Sequence, residues 1–124
     1  MGAVYVTVKL LGPPERKPSK PEKVEALVDT GATLSIFPAV LLRRLGVKLL
    51  HRVRSRLADG RVVHRGVGEV RLKLNGEIVT TRVLFGQAKD ATVVGLVALE
   101  SLGLAVDPTK RRLVHSEFLM MISF

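Results

Sequence analysis

One tetrapeptide in the chain has the residue types for chemistry. Asp29-Thr30-Gly31-Ala32 directly follows the apolar run Ala26-Leu27-Val28. A carboxylate therefore stands at the mouth of a buried strand, where it can do acid–base work. Gly31 lets the backbone turn sharply and lets another chain approach closely. Thr30 adds a hydroxyl that can both donate and accept. The same residue types are favoured in a plain strand-end turn. The tetrapeptide alone leaves both readings open.

Other chemistries are poorly supplied. The chain has no cysteine, hence no thiolate zinc site, no cysteine nucleophile and no disulfide framework. His51, His64 and His115 are far apart, without neighbours at metal-ligand spacing, so no metal site is expected. Ser35 and Ser55 have no adjacent base, and Glu100 and Glu117 have no partner pattern. Asp107 precedes Pro108 and reads as the start of a turn. The glycines are scattered at turns rather than gathered into a phosphate-cradling loop, and no cofactor is expected.

The elements that must position Asp29 follow a period of two. Val4, Val6, Val8 and Leu10 alternate with Tyr5, Thr7 and Lys9, as in a half-buried strand. Gly12 to Glu22 holds four of the six prolines and reads as an exposed loop. Lys23 to Val28 is a second strand. Pro38 fits a first helical position. Phe37, Leu41 and Leu45 recur every four residues, and Gly46 ends this short helix.

Leu49 to Leu57 and Arg61 to Leu74 read as strands around the turn Ala58-Asp59-Gly60. Asn75-Gly76 is a strong hairpin signal, and Glu77 to Phe85 is its returning strand. Ala91 to Val94 is a short buried strand ending at Gly95. Val97 to Leu102 suggests a second helix, capped by Gly103. Leu104 to Val106, Arg112 to His115 and Phe118 to Ile122 close the chain as strand-like segments. The fold class is mostly β with two short helices. Leu42-Arg43-Arg44-Leu45-Gly46 echoes Leu99-Glu100-Ser101-Leu102-Gly103. That echo is either a trace of duplication or an ordinary helix ending met twice.

With 124 residues, the chain reads as one domain, residues 1–124. Twenty basic against 11 acidic side chains give a formal charge of +9. Such a charge makes nucleic acid the first suspect. Arg52, Arg54 and Arg56 alternate on one strand face, with Arg61 and Arg65 close by in the facing strand. Yet single-strand binders interleave aromatics for stacking, and this chain has one Tyr, four Phe and no Trp. A solvated strand face is the better reading, and nucleic acid is not the expected partner. No run of apolar residues reaches a membrane span, and the N-terminus lacks the pattern of a signal peptide. A cytoplasmic protein without membrane contact is expected.

The segment from Ala26 to Ser35 resembles the retroviral-type aspartic proteases, in particular their small prokaryotic cellular members. The resemblance continues through Leu57-Ala58-Asp59-Gly60-Arg61-Val62-Val63 and Val93-Val94-Gly95, and ends at Leu104-Ala105-Val106-Asp107-Pro108. It covers nearly the whole chain, from about Tyr5 to His115. It implies the closed antiparallel β barrel of one acid-protease lobe per chain. It also implies a flap hairpin over about residues 52–70, with Ala58, Asp59, Gly60 and Arg61 at its tip.

That family's chemistry uses two aspartates, and this chain has one Asp-Thr-Gly. The resemblance therefore implies a homodimer that hydrolyses peptide or protein substrates between two copies of Asp29. Thr30 would hold the two loops together and Gly31 would lie beside the substrate. Ala32, Ala58, Asp59, Gly60, Arg61, Val93 and Val94 are the candidate substrate contacts, with core packing the competing role for the two valines. Viral flaps are richer in glycine at the tip than this one. The apolar stretch 118–124 would pair at the dimer interface or cover the barrel. A non-catalytic dimeric peptide-binding module on the same fold is the first alternative, and a basic nucleic-acid-binding protein the lesser one.

Overall fold

The computed structural model describes residues 3–18 and 20–118. They form β1 (Val4–Gly12), β2 (Glu22–Val28), β3 (Ser35–Pro38), α1 (Ala39–Arg44), β4 (His51–Arg56) and β5 (Val62–Leu74). There follow β6 (Glu77–Gly86), β7 (Val93–Val94), α2 (Leu96–Ser101), β8 (Leu104–Asp107) and β9 (Arg112–His115). The fold is mostly β, with 51% strand and 10% helix.

The alternation in β1 sorts its side chains as expected. Val8 and Leu10 are fully buried, whereas Tyr5 and Thr7 are exposed. Phe37, Leu42, Leu72, Val83, Val94 and Leu99 join them in one apolar core. Each such side chain contributes about 1.5–3 kcal/mol through burial. Asn75 (φ 52°) and Gly76 (φ 79°) make the tight turn between β5 and β6, the left-handed pair that matches strand twist.

Seven strands join in the order β1-β2-β7-β3-β6-β5-β4, and β1 also pairs with β5. Pairing thus runs from β1 through β2, β7, β3, β6 and β5 back to β1, with β4 attached to β5. Strands β8 and β9 form a separate antiparallel ladder. The ladder is not purely antiparallel. β7 lies parallel to β2 (Leu27 opposite Val93, Val28 opposite Val94), and β3 lies parallel to β6 (Phe37 opposite Phe85). Parallel neighbours need long crossovers, and here each short strand pairs with a hairpin strand from the other half of the chain.

That arrangement has an internal two-fold order. Exchange β1 with β5, β2 with β6 and β3 with β7, and the pairing sequence reads the same from either end. β3 and β7 meet in the middle as an antiparallel pair at Ile36 and Val93. Each is followed by a six-residue helix. Both helices end alike: Gly46 N–H donates to Arg43 O and Gly103 N–H to Glu100 O, each at 3.0 Å. Both glycines have positive φ, 85° and 67°, a backbone that glycine adopts without a Cβ penalty. The echo between Leu42–Gly46 and Leu99–Gly103 therefore extends to backbone pairing.

Three expectations change. Pro38 is not the first helical residue. It closes β3 in an extended conformation (φ −55°, ψ 131°) and precedes α1, because Phe37 is drawn into the core as a strand residue. Gly12 and Pro13 are buried rather than exposed. A bulge carries β1 past Leu10 to pair Gly12 with Arg71, and Arg71 Nη2 donates to Pro13 O at 3.0 Å. Arg65 sits opposite Val53, whereas Arg54 sits opposite His64. Arg65 therefore projects to the face away from Arg52, Arg54 and Arg56. In the stretch 118–124, Phe118 is exposed and outside any strand; residues 119–124 lie outside the described residues.

Candidate active site

The β2–β7 ladder delivers Asp29 to its place. Leu27 N–H donates to Thr92 O and Asp29 N–H to Val94 O, both at 3.0 Å. Beyond Asp29 the chain turns back on itself. Gly31 N–H donates to Asp29 Oδ1 at 2.8 Å, and Ala32 N–H to Asp29 O at 3.2 Å. A Cβ at Gly31 would lie 3.1 Å from Asp29 Oδ1, so glycine keeps this contact uncrowded. Asp29, Thr30 and Gly31 are exposed and Ala32 is half-buried. Asp29 Oδ2 accepts a hydrogen bond from none of the described residues, and the Thr30 hydroxyl likewise has no such partner among them.

Helix α2 holds the far side of the turn. Leu96 N–H donates to Ala32 O at 2.7 Å and Val97 N–H to Thr33 O at 3.0 Å. These amides open the helix and would otherwise lack intrahelical acceptors. Gly95 lies against this backbone: a Cβ there would come within 2.7 Å of Leu34 C and O and 2.8 Å of Ala32 O. Gly95 N–H donates to Ser35 Oγ at 3.0 Å, with Ser35 fully buried. Val93 is 4% exposed and Val94 is fully buried, a placement that favours packing over substrate contact.

A cavity of about 570 Å³ opens beside Asp29 and Thr30. Val28, Leu99, Leu104 and Val106 form part of its apolar wall, with Glu100 and Arg111 as its other charged residues. Ala58, Asp59, Gly60 and Arg61 are not in that lining.

The internal two-fold order identifies the counterpart of Asp29. Leu27 lies opposite Val93, and Leu84 lies opposite Ile36. Since Ile36 and Val93 face each other across the centre, Leu27 corresponds to Leu84 and Val28 to Phe85. Asp29 therefore corresponds to Gly86. A Cβ at Gly86 would lie 2.9 Å from Ile36 Cγ2 and 3.0 Å from Phe37 O. At the position equivalent to Asp29, the second half of the repeat offers neither a carboxylate nor room for one.

Comparison with known families matches residues 6–98 to the aspartyl proteases. The chain belongs to the aspartyl protease family. No curated protein matches it. The matched segment runs from β1 into α2, and so includes the Asp29 turn, the β4–β5 hairpin and Val93-Val94-Gly95. The β8–β9 ladder lies beyond it.

In this member of the aspartyl protease family the β4–β5 hairpin ends in a self-contained turn. Gly60 N–H donates to Leu57 O at 2.9 Å, and Leu57 N–H to Arg61 O at 2.8 Å. Gly60 has φ +88°, the left-handed residue of a three-residue hairpin loop. Arg61 binds Asp59 twice, by its N–H to Oδ1 at 3.0 Å and by Nε to Oδ2 at 2.7 Å. The Arg61 N–H first, and then its guanidinium, hold the Asp59 carboxyl below its ordinary value. Arg56 Nη1 donates to Gly60 O at 3.0 Å. The tip is ordered by its own polar groups, which accounts for a turn with one glycine.

Two structural contributors escaped sequence reasoning. Ser35 supports Gly95 from inside the core. Its one signal was a polar residue opening an apolar strand. Asp90, in the loop between β6 and β7, binds Arg65 and also accepts from Gln87 N–H at 2.8 Å. Nothing in the local pattern marked that pairing. Among the described residues, no helix is long and apolar enough to cross a membrane.

Proposed function

We propose that the protein is a homodimeric aspartic endopeptidase in which Asp29 of each copy contributes one carboxylate. The observation that carries this reading is the internal repeat: Asp29 has Gly86 as its counterpart. A second carboxylate must then come from a second chain. A two-fold axis beside the Asp29 turn supplies it. The circuit of strands is read as the closed barrel of one lobe, with the Asp29 turn on its rim.

Two carboxylates within hydrogen-bonding range share one proton, because two like charges so close cannot both form cheaply. The charged Asp29 takes a proton from water. The protonated Asp29 of the other copy polarises the peptide carbonyl and then protonates the leaving amine. Asp29 Oδ2, without a partner among the described residues, is the oxygen available to water. The exposed Thr30 hydroxyl is free to bond across the dimer. Leu96 and Val97, 37% and 39% exposed beside the turn, give a second copy apolar surface to cover. The tip from Ala58 to Arg61 would close over an extended peptide and exclude water, with Ala32 beside the bound chain.

Hydrolysis of a mixed peptide library by wild type and Asp29→Asn tests the reading. Cleavage by wild type and loss in the variant are expected. Cleavage that survives the substitution overturns it, and peptide binding without turnover points to a non-catalytic module.

A further inference from the structure

Away from the Asp29 turn, the loop between β1 and β2 meets the end of α1 around a cavity of about 330 Å³. Arg16, Lys17, Lys20 and Arg44 line it, against one carboxylate, Glu22. Four cations less one anion leave an excess of three positive charges. Glu22 is engaged with Arg44 at 3.2 Å, and Arg16, Lys17 and Lys20 have no ion-pair partner among the described residues. Like charges gathered in this way repel, and an anion among these exposed side chains would relieve that repulsion.

The site is held from behind. Arg71, on β5, donates through Nη2 to Pro13 O and to Arg16 O. Its Nε is buried with no hydrogen-bond partner among the described residues, so Arg71 adds a fifth positive charge behind the loop. Arg16 is seated by Gly46: a Cβ there would lie 2.5 Å from Arg16 Nη1 and 3.2 Å from Cζ. The glycine that ends α1 therefore also makes room for a guanidinium.

We propose that this cavity binds a small phosphorylated anion. Three unpaired cations from different chain positions suit the dispersed oxygens of a phosphoryl group, and guanidinium groups bind phosphate through paired N–H donors. The volume lies at the small end of ligand pockets, which favours a free phosphate compound over a polymer. The Asp29 machinery contributes nothing to the site, so binding should be intact in Asp29→Asn.

Calorimetric titration with inorganic pyrophosphate at low ionic strength tests the proposal. One saturable site per chain is expected, weakening as salt screens the cations. The double variant Arg16→Ala/Lys20→Ala should bind at least about tenfold more weakly, the scale of losing a charge-assisted hydrogen bond. Arg54→Ala/Arg56→Ala, which removes two cations elsewhere, should bind like wild type. Failure to saturate, or equal losses in both double variants, overturns the proposal. So does citrate binding as tightly as pyrophosphate, since the site would then read charge rather than phosphate. A short single-stranded oligonucleotide that binds more tightly than pyrophosphate, with the same dependence on Arg16 and Lys20, overturns it in favour of a nucleic-acid strand.

Discussion

Arg65 on β5 grips Asp90 in a two-pronged ion pair, Nε to Oδ2 at 2.6 Å and Nη2 to Oδ1 at 2.9 Å. Both side chains are largely covered, 13% and 18% exposed. The pair ties the strand bearing the β4–β5 hairpin to the loop that leads into β7. β7 in turn bonds to Asp29 through Val94 O. One ion pair thus connects the hairpin to the ladder that holds the proposed catalytic carboxylate.

Removing one partner leaves the other charge half-buried without compensation. Arg65→Ala or Asp90→Asn should each cost roughly 1–3 kcal/mol, between the values for exposed and fully buried pairs. The double variant should cost less than the two single losses summed. Urea unfolding of all four proteins measures the coupling, and strictly additive losses would show that the pair contributes nothing.

The same pair sets a pH dependence. Arg65 chiefly, with help from Gln87 N–H, holds the Asp90 carboxyl below its ordinary value of 3.8. A depressed carboxyl stabilises the fold fully above its unfolded value, and the contribution is lost as pH falls through the folded value. Wild type should exceed Asp90→Asn in stability by a constant margin at neutral and mildly acidic pH. The margin should shrink only below about pH 4. Denaturation midpoints at several pH values check this, and a margin that shrinks near neutrality would contradict the assignment.

Behind the Asp29 turn, Ser35 and Gly95 act together. Ser35→Ala strands the buried Gly95 N–H, at a cost of about 1–3 kcal/mol. Gly95→Ala forces a methyl onto the backbone of Ala32 and Leu34, and overpacking against backbone costs about 1–3 kcal/mol or more. Both should lower the melting temperature. Gly95→Ala should also reduce peptide cleavage, because the turn it displaces carries Asp29. Full cleavage in a destabilised Gly95→Ala would separate the site from this packing.

Elements with local signals were legible in the sequence. Alternation identified β1, Asn75-Gly76 the β5–β6 hairpin, and Gly103 the end of α2. The Asp29 turn was legible because Asp, Thr and Gly follow an apolar strand directly. β3 was hidden, because Ile36-Phe37-Pro38 is too short for a periodic signal and Pro38 resembled a helix start. The parallel pairings were hidden as well. They join residues such as Leu27 and Val93, whose contact depends on the whole chain being folded. Arg65 and Asp90 are 25 residues apart and meet only because β6 and its following loop return past β5.

The proposed shared site would make activity a property of pairs of chains. At concentrations where most chains are monomeric, the dimer fraction rises in proportion to total chain. Tenfold dilution should then lower the rate about a hundredfold and the rate per chain about tenfold, by mass action. Mixing provides a sharper test. If Asp29→Asn retains dimerisation, as its surface position allows, excess variant should capture wild-type chains in dimers with a single carboxylate. At a ninefold excess, wild-type pairs fall to about a hundredth of all dimers, and activity per wild-type chain to about a tenth. Peptide cleavage across mixing ratios, alongside sedimentation to follow the dimer, measures both effects. Activity per wild-type chain that is flat across dilution and mixing would place the chemistry within one chain and overturn the shared site.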